Sequence, residues 1–332
     1  MKGPRVLVTG GAGFIGSHAC LQLAEAGYQP VVVDNLRTGH SDAVQWGPFV
    51  PLDIRNTDAL ADVMTQYNCQ LVMHFAAAAY VGESVTDPGL YYDNNVGGMI
   101  ALLAAMQKAG VRSLVFSSSC ATYGSPDCQP IDEATEQRPI NPYGRTKLIC
   151  EEMIRDHATS WGLRYAMLRY FNACGADPGG RLFERHAPET HLIPLALMAA
   201  AGQRPALEVY GTDYDTPDGT CVRDYIHVSD LARAHVLAAK ALCQGGQNLT
   251  LNLGSGMGHS ILEIIAAIEV VTGRKTPWHA AARRAGDPAR LVADTQAAGR
   301  LLNFTTRRSG LFDILRDAAP GFGLEVQNDL CA

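Results

Sequence analysis

A chain of 332 residues, 47% hydrophobic and 18% charged, can bury a large core and build two lobes, which excludes a disordered or fibrous polypeptide. Its formal net charge of −6 argues against nucleic acid or an anionic membrane surface as a partner, and its apolar runs fall short of the ~18–20 residues of a membrane span. Met1-Lys2-Gly3 leads straight into a strand pattern rather than a signal sequence, and nine cysteines without CxxC pairs read as reduced thiols, so the expected location is the cytoplasm.

The first predicted element is Arg5-Val6-Leu7-Val8-Thr9, a short run of branched apolar residues of the kind buried in a parallel sheet. Gly10-Gly11-Ala12-Gly13-Phe14-Ile15-Gly16 follows at once, and a helical pattern runs from Ser17 to Ala26 and stops at Gly27. Strand, glycine-rich turn and helix in that order predict a dinucleotide site. Gly10 permits the tight turn, Gly13 lets backbone approach a pyrophosphate, and Gly16 lets helix and strand pack closely. The helix N-terminus then faces the phosphates with unpaired N–H groups. Val31-Val32-Val33 is the next strand, and Asp34 at its end suits the two ribose hydroxyls of NAD while repelling the 2′-phosphate of NADP. NAD is the expected cofactor.

Further along, Leu71 to Ala76 reads as a buried strand, Tyr91 to Lys108 as a helix, and Leu114-Val115-Phe116 as a strand delivering Ser117, Ser118 and Ser119. Asn141-Pro142-Tyr143-Gly144-Arg145-Thr146-Lys147 then opens another helix, whose spacing sets Tyr143 and Lys147 on one face. A free phenol titrates near pH ~10, so a base working at neutral pH needs a shift of roughly three units, about 4 kcal/mol. Lys147 and a nicotinium charge are expected to supply it together, with the Ser119 hydroxyl completing a proton-handling trio. A strand from Arg164 to Arg169 ends in Tyr170-Phe171-Asn172, and helices are expected around Leu231–Leu242 and Leu262–Val271. Cys120 reads as a small buried residue, Tyr123 as a packing aromatic, and Ser117 and Ser118 as strand-end residues rather than catalysts. The ten histidines show no HExxH or clustered ligand spacing, and no metal is expected.

This alternation predicts an α/β chain: a doubly wound parallel sheet of the Rossmann type, with right-handed crossovers and a smaller C-terminal α/β lobe. Residues 1–178 form the expected NAD-binding domain, rejoined by parts of 220–260, and 179–332 mainly the substrate lobe. Ligands in such sheets bind beyond the carboxyl ends of the strands, where Gly10, Asp34, Asp53, Ala76 and Ser119 would gather.

From Val6 to about Phe304 the chain resembles the sugar-nucleotide epimerases of the extended short-chain dehydrogenase/reductase family. The glycine-rich turn and Tyr-x-x-x-Lys fit the whole superfamily. Val81-Gly82-Glu83-Ser84, Tyr91-Tyr92-Asp93-Asn94-Asn95, Leu168-Arg169-Tyr170-Phe171-Asn172 and above all Asp218-Gly219-Thr220-Cys221-Val222-Arg223-Asp224-Tyr225-Ile226-His227-Val228 narrow it to those epimerases. The resemblance implies NAD contacts at Phe14, Ile15, Asp34, Asn35, Asp53, Ile54, Phe75, Ala76, Ala77, Asn94, Ser119, Tyr143, Lys147 and Phe171. It implies a UDP-sugar substrate held by Asn172, Leu192, Arg223, Arg284 and Asp287, the arginines offering fork-shaped donors to a pyrophosphate. It also implies C4 epimerisation through a transient 4-keto sugar, most simply between UDP-galactose and UDP-glucose, in a homodimer formed through the helix around Asn94 to Lys108.

Departures from the pattern bear on the sugar. Ala79 stands where many glucose/galactose enzymes carry a lysine, and the runs 78–84 and 120–124 are also similar to UDP-xylose/UDP-arabinose 4-epimerases. His191 stands where some relatives carry a substrate-binding asparagine, and Leu291 is smaller than the tyrosine often found in enzymes restricted to unsubstituted hexoses. Cys120 and Ala121 replace the Asp-Glu pair of the related dehydratases and have no proton to exchange near neutral pH. A net dehydrogenase is the remaining alternative.

Overall fold

The computed structural model describes residues 3–284 and 287–327. In chain order the strands are β1 (Arg5–Thr9), β2 (Gln29–Asp34), β3 (Phe49–Pro51), β4 (Leu71–His74), β5 (Ser113–Ser119), β6 (Arg164–Tyr170), β7 (Asn172–Cys174), β8 (Leu207–Tyr210), β9 (Val222–His227), β10 (Leu249–Leu253), β11 (Gly258–Ser260), β12 (Trp278–Ala281) and β13 (Arg290–Leu291). The helices are α1 (Phe14–Glu25), α2 (Thr57–Gln66), α3 (Val81–Thr86), α4 (Pro88–Tyr91), α5 (Gly98–Ala109), α6 (Pro142–Trp161), α7 (Leu192–Ala200), α8 (Val228–Cys243), α9 (Ile261–Thr272), α10 (Gln296–Leu302) and α11 (Leu311–Ala318).

Seven parallel strands form the main sheet in the order β10-β6-β5-β4-β1-β2-β3. Strand order reverses at β1, which pairs with β2 on one side and β4 on the other, Thr9 lying opposite both Val33 and His74. That reversal makes the sheet doubly wound. Alternation along β1 sends Val6 and Val8 to one face and Leu7 to the other. The first face is covered by α1 and α8 through Ala19, Leu23, Leu231 and Ala238, and the second by α2, α5 and α6 through Leu60, Leu102, Met106 and Ile154. A separate core joins α7, α9 and α11 around Ile193, Leu197, Ile264, Ile268 and Leu315. It belongs to the smaller lobe, with β9 paired to β7, β11 and β13, and β8 paired to β12.

Three local expectations are corrected. The strand expected to reach Ala76 stops at His74, because the Phe75 and Ala76 N–H groups both donate to Thr9 O and leave the ladder. The helix expected over Tyr91–Lys108 is interrupted by a wide π turn at Tyr92–Gly97. Asn95 fixes that turn: it is buried, its amide donates to Ala78 O and Thr146 Oγ1 (both 3.0 Å), and its oxygen accepts from Ala78 N. Such turns recur at functional sites. Helix α1 begins at Phe14 rather than Ser17, with Gly13 as its N-cap.

Candidate active site

Backbone conformation builds the dinucleotide cradle at the end of β1. Gly10 takes φ +71°, and a Cβ there would lie 2.5 Å from Ala76 N, so only glycine fits. A Cβ on Gly16 would lie 2.1 Å from Gly10 O, whereas one on Gly13 would meet nothing closer than Gly10 O at 3.4 Å. Gly13 therefore turns an open side outward, and no side chain caps the first N–H groups of α1. At the end of β2, buried Asp34 accepts from Ala12 N (3.0 Å) and Leu36 N (2.8 Å). Burial nonetheless pushes its carboxyl above the usual range, a cost that hydroxyl donors on a ribose would relieve. An open glycine turn, an uncapped helix end and a carboxylate beyond the next strand fit NAD.

The remaining predicted cofactor residues open α1, follow β2, β3 and β4, or sit in the π turn. Phe14 and Ile15 open α1, Phe75 packs on the His235 ring at 4.8 Å, and Ala76 and Ala77 follow β4 half-buried. Asn35 donates to Asp53 (3.2 Å), whose carboxylate is gripped by Arg55 at 2.7 and 2.9 Å and held well below its ordinary pKa. Asn56, not Asp53, caps α2. Ile54 is buried against Gly98, and Asn94 donates to Asn95 within the π turn.

The proton-handling trio is brought together where β5 ends and α6 begins. Asn141 caps α6 by accepting from Gly144 N at 2.8 Å, Pro142 fills the first turn, and a Cβ on Gly144 would lie 2.3 Å from Ala121 O. The helix thus sits directly against the turn after β5. Tyr143 and Ser119 are both buried, and the Ser119 side chain, which accepts from Ala121 N at 3.1 Å, lies close enough to the phenol to favour its charged form. Lys147 donates to Ser117 O (2.8 Å), with its Nζ 5.0 Å from the Phe116 ring centre and 5.9 Å from that of Tyr143.

Burial pushes the Tyr143 phenol well above its ordinary value; nearby Tyr170 adds to this, and the Ser119 side chain opposes it. Lys147 is lowered to about 8, again by burial. A cation that is itself desolvated and turned toward a carbonyl does not ionise the phenol unaided, so in the protein alone the Tyr143 phenol keeps its proton. His74, beside this site, bonds Thr9 Oγ1 at 2.6 Å and is driven to about 3 by burial and Lys147, which keeps it neutral.

Behind the trio lies a network that the sequence reading missed. Glu151, fully buried and one turn beyond Lys147, binds Arg169 through two bonds (2.6 and 2.9 Å) and accepts from Ser118 Oγ (2.6 Å). Arg169 also donates to the Tyr123 hydroxyl (2.8 Å), which donates to Asn252 (2.7 Å). The network joins β5, α6, β6 and β10. Its one sequence signal was the i, i+4 spacing of Lys147 and Glu151. Ser117 Oγ donates to the Tyr170 hydroxyl (3.1 Å), and burial raises the Cys120 thiol to about 12, so it stays protonated.

On the other side, Phe171 is buried after β6, and Asn172 in β7 donates to Asp224 O at 2.7 Å. Arg223 and Asp287 form an ion pair and so are brought together. Arg284 stands apart from that pair, its guanidinium 3.9 Å over the Tyr210 ring. Leu192 opens α7 and is half-buried. Buried Asp224 accepts from Ser255 N, Gly256 N and Ala293 N, so it organises the loops after β10 and β13.

Residues 6–254 match the model of the NAD dependent epimerase/dehydratase family. The chain is 54% identical over 304 residues to UDP-glucose 4-epimerase of Rhizobium meliloti (strain 1021), covering 92% of this chain and 93% of that one. The crystal structure of UDP-glucose 4-epimerase from Brucella ovis in complex with NAD superposes with a TM-score of 0.96 at 59% identity, covering 98% of this chain and 100% of that one. That of the Stenotrophomonas maltophila enzyme, with bound NAD and formylated UDP-arabinopyranose, gives 0.94 at 44% identity, covering 96% and 98%.

Proposed function

Because the chain belongs to the NAD dependent epimerase/dehydratase family, we propose that it is a UDP-sugar 4-epimerase that uses NAD and interconverts UDP-galactose and UDP-glucose. The observation that carries this reading is the burial of Ser119, Tyr143 and Lys147 together where β5 ends and α6 begins, beside Cys120 and Ala121 rather than an acid pair. Tyr143 removes the proton of the sugar 4-hydroxyl and later returns it, and Ser119 shares the hydrogen bond. NAD, when bound, supplies hydride acceptance and return at the sugar carbon, and its positive ring adds the charge that Lys147 alone does not provide. Gly10, Gly13, Gly16, Phe14, Ile15 and Asp34 hold its phosphates and ribose. Asn35, Asp53, Ile54, Phe75, Ala76, Ala77, Asn94 and Phe171 line the rest.

Substrate is anchored at the other end. Arg223 and Arg284 meet the pyrophosphate with fork-like donors, while Asn172, Leu192 and Asp287 contact the remainder of the UDP group. Held by UDP, the 4-keto sugar turns to present its other face. Exposed Ile100 on α5, together with Tyr92 at the π turn, supports a homodimer through that helix. Among the described residues no helix is long and apolar enough to cross a membrane, in keeping with a cytoplasmic enzyme. A second reading, UDP-xylose/UDP-arabinose epimerisation, is favoured by the UDP-arabinopyranose derivative in the Stenotrophomonas structure.

The test is incubation of purified protein, without added NAD, with UDP-galactose, UDP-xylose and UDP-N-acetylgalactosamine, resolving products by proton NMR. Conversion is expected fastest for UDP-galactose. Faster turnover of UDP-xylose would move the assignment to the pentose, and no conversion even after NAD is supplied would overturn epimerisation.

A further inference from the structure

Glu184-Arg185-His186-Ala187-Pro188-Glu189-Thr190-His191 links β7 to α7 and carries four side chains capable of ligating a metal. The sequence reading expects no metal, since the spacing matches no familiar motif. Folding nevertheless brings one donor atom from each of Glu184, His186, Glu189 and His191 within 4.8 Å of all the others. Glu184 and Glu189 are buried at the side chain, His186 nearly so, and His191 half exposed.

Both imidazoles present Nδ1 to the carboxylates. His186 Nδ1 lies 3.4 Å from Glu184 and 3.3 Å from Glu189, and His191 Nδ1 lies 3.8 Å from Glu189 and 2.6 Å from Glu184. Charge-assisted hydrogen bonds settle at about 2.7–2.9 Å. With Glu184 Oε1 and Glu189 Oε2 as the donors, the two His186 separations are longer than that and lie near the roughly 3.3 Å edge of a tetrahedron with ~2.0 Å metal–ligand bonds. The 3.8 Å separation is to the other Glu189 oxygen. Only the 2.6 Å contact must open. Glu189 is also oriented in advance: its Oε1 accepts from the N–H groups of Thr190 and His191 (both 2.8 Å), leaving Oε2 turned toward His186. A divalent ion would balance the two carboxylates with the same charge as two imidazolium protons.

We propose that Glu184, His186, Glu189 and His191 form a structural site for a divalent transition metal, zinc by ligand type. Two imidazole nitrogens and two carboxylate oxygens are a sound zinc set, and four protein ligands leave no open position for catalysis. The site pins a stretch without regular structure. The His186 ring stands edge-on to Phe14, the first residue of α1, and to Tyr80, each at 6.2 Å, and His191 immediately precedes α7. The metal therefore ties the dinucleotide turn to the first helix of the smaller lobe.

The holoenzyme, stripped with a chelator and dialysed, is titrated with zinc chloride by calorimetry and with cobalt chloride by absorption. One zinc per chain is expected, with a rise in melting temperature that the chelator reverses. Cobalt should give the intense visible bands of a tetrahedral ion with no near-ultraviolet thiolate band, which separates this site from the exposed Cys128 and Cys243. Glu189→Gln and His186→Gln should each weaken zinc binding by at least the ~10–100-fold that loss of a supporting residue costs. Arg185→Ala, in the same stretch, should not. Substoichiometric zinc, an octahedral or thiolate cobalt spectrum, or ligand variants that bind zinc like the parent would overturn the proposal. Should a variant fail to fold, the cobalt spectrum of the unaltered protein still decides.

Discussion

Lys147 and Arg223 are both cations set against the proposed active site; both are largely buried and both donate to a backbone carbonyl, and the difference lies in what else holds them. Lys147 is enclosed, bonded to a backbone carbonyl and backed by the Glu151–Arg169 network, so its position is fixed before any ligand arrives. Arg223 rests against a carboxylate that is itself a predicted ligand contact, and Arg284 lies over a tyrosine ring in an exposed stretch. One wall is backed by a buried network that includes no predicted ligand contact. The other is held by side-chain pairs that a charged ligand can exchange for its own contacts. This division suits a reaction whose proton must move along one fixed line while the sugar changes orientation.

The sharpest way to break the comparison is Tyr143→Phe. On the rigid wall it should remove the proton carrier and little else, lowering turnover by about 10²–10⁴-fold. NAD content and melting temperature should stay near those of the parent; a variant that kept most of its turnover would dismiss Tyr143 as the base. Glu151→Gln tests what makes that wall rigid. Breaking a buried pair leaves Arg169 uncompensated and should cost about 3–5 kcal/mol in denaturant unfolding at neutral pH. Burial opposes the Glu151 charge, but Arg169 and Ser118 outweigh it and hold the carboxyl below its usual value. A depressed folded pKa adds stability above the unfolded value of about 4.3, and that stability is lost as pH falls through the folded value. The gap between parent and variant should therefore narrow in acid, and a gap independent of pH would refute the ion-pair account. Arg223→Lys should have the smallest effect. Losing the fork should raise KM by about tenfold with turnover within a few-fold, because anchoring rather than chemistry is touched. Equal losses in both parameters would place Arg223 on the rigid side.

Legibility in the sequence followed the same line. Gly10, Gly13 and Gly16 declare themselves because their roles are set by neighbours within a few residues, and Tyr143 and Lys147 share one helical turn. The strand–turn–helix alternation likewise announced five of the seven strands of the main sheet, but not β3 or β10. Glu151 and Arg169 meet across α6 and β6, and Tyr123 reaches Asn252 in β10; no local spacing announces such contacts. The wide turn at Tyr92–Gly97 was hidden for the same reason, since Asn95 is pinned by Ala78 and Thr146 from other elements. Arg284 illustrates the converse. Its residue type pointed to an anion, but only the fold shows it stacked on Tyr210.

The strand order carries a consequence for the birth of the molecule. β6 pairs with β5 along one side and with β10 along the other, where Ala166 meets Leu249. On the ribosome, Ala166 emerges long before Leu249 exists, and throughout that interval β6 offers an open hydrogen-bonding edge. Such edges recruit strands from other chains. A fragment ending at residue 178 would carry this vulnerability permanently, so the seven-stranded half cannot be excised at a single cut: its edge strand beside β6 is encoded beyond β7, β8 and β9 of the smaller lobe.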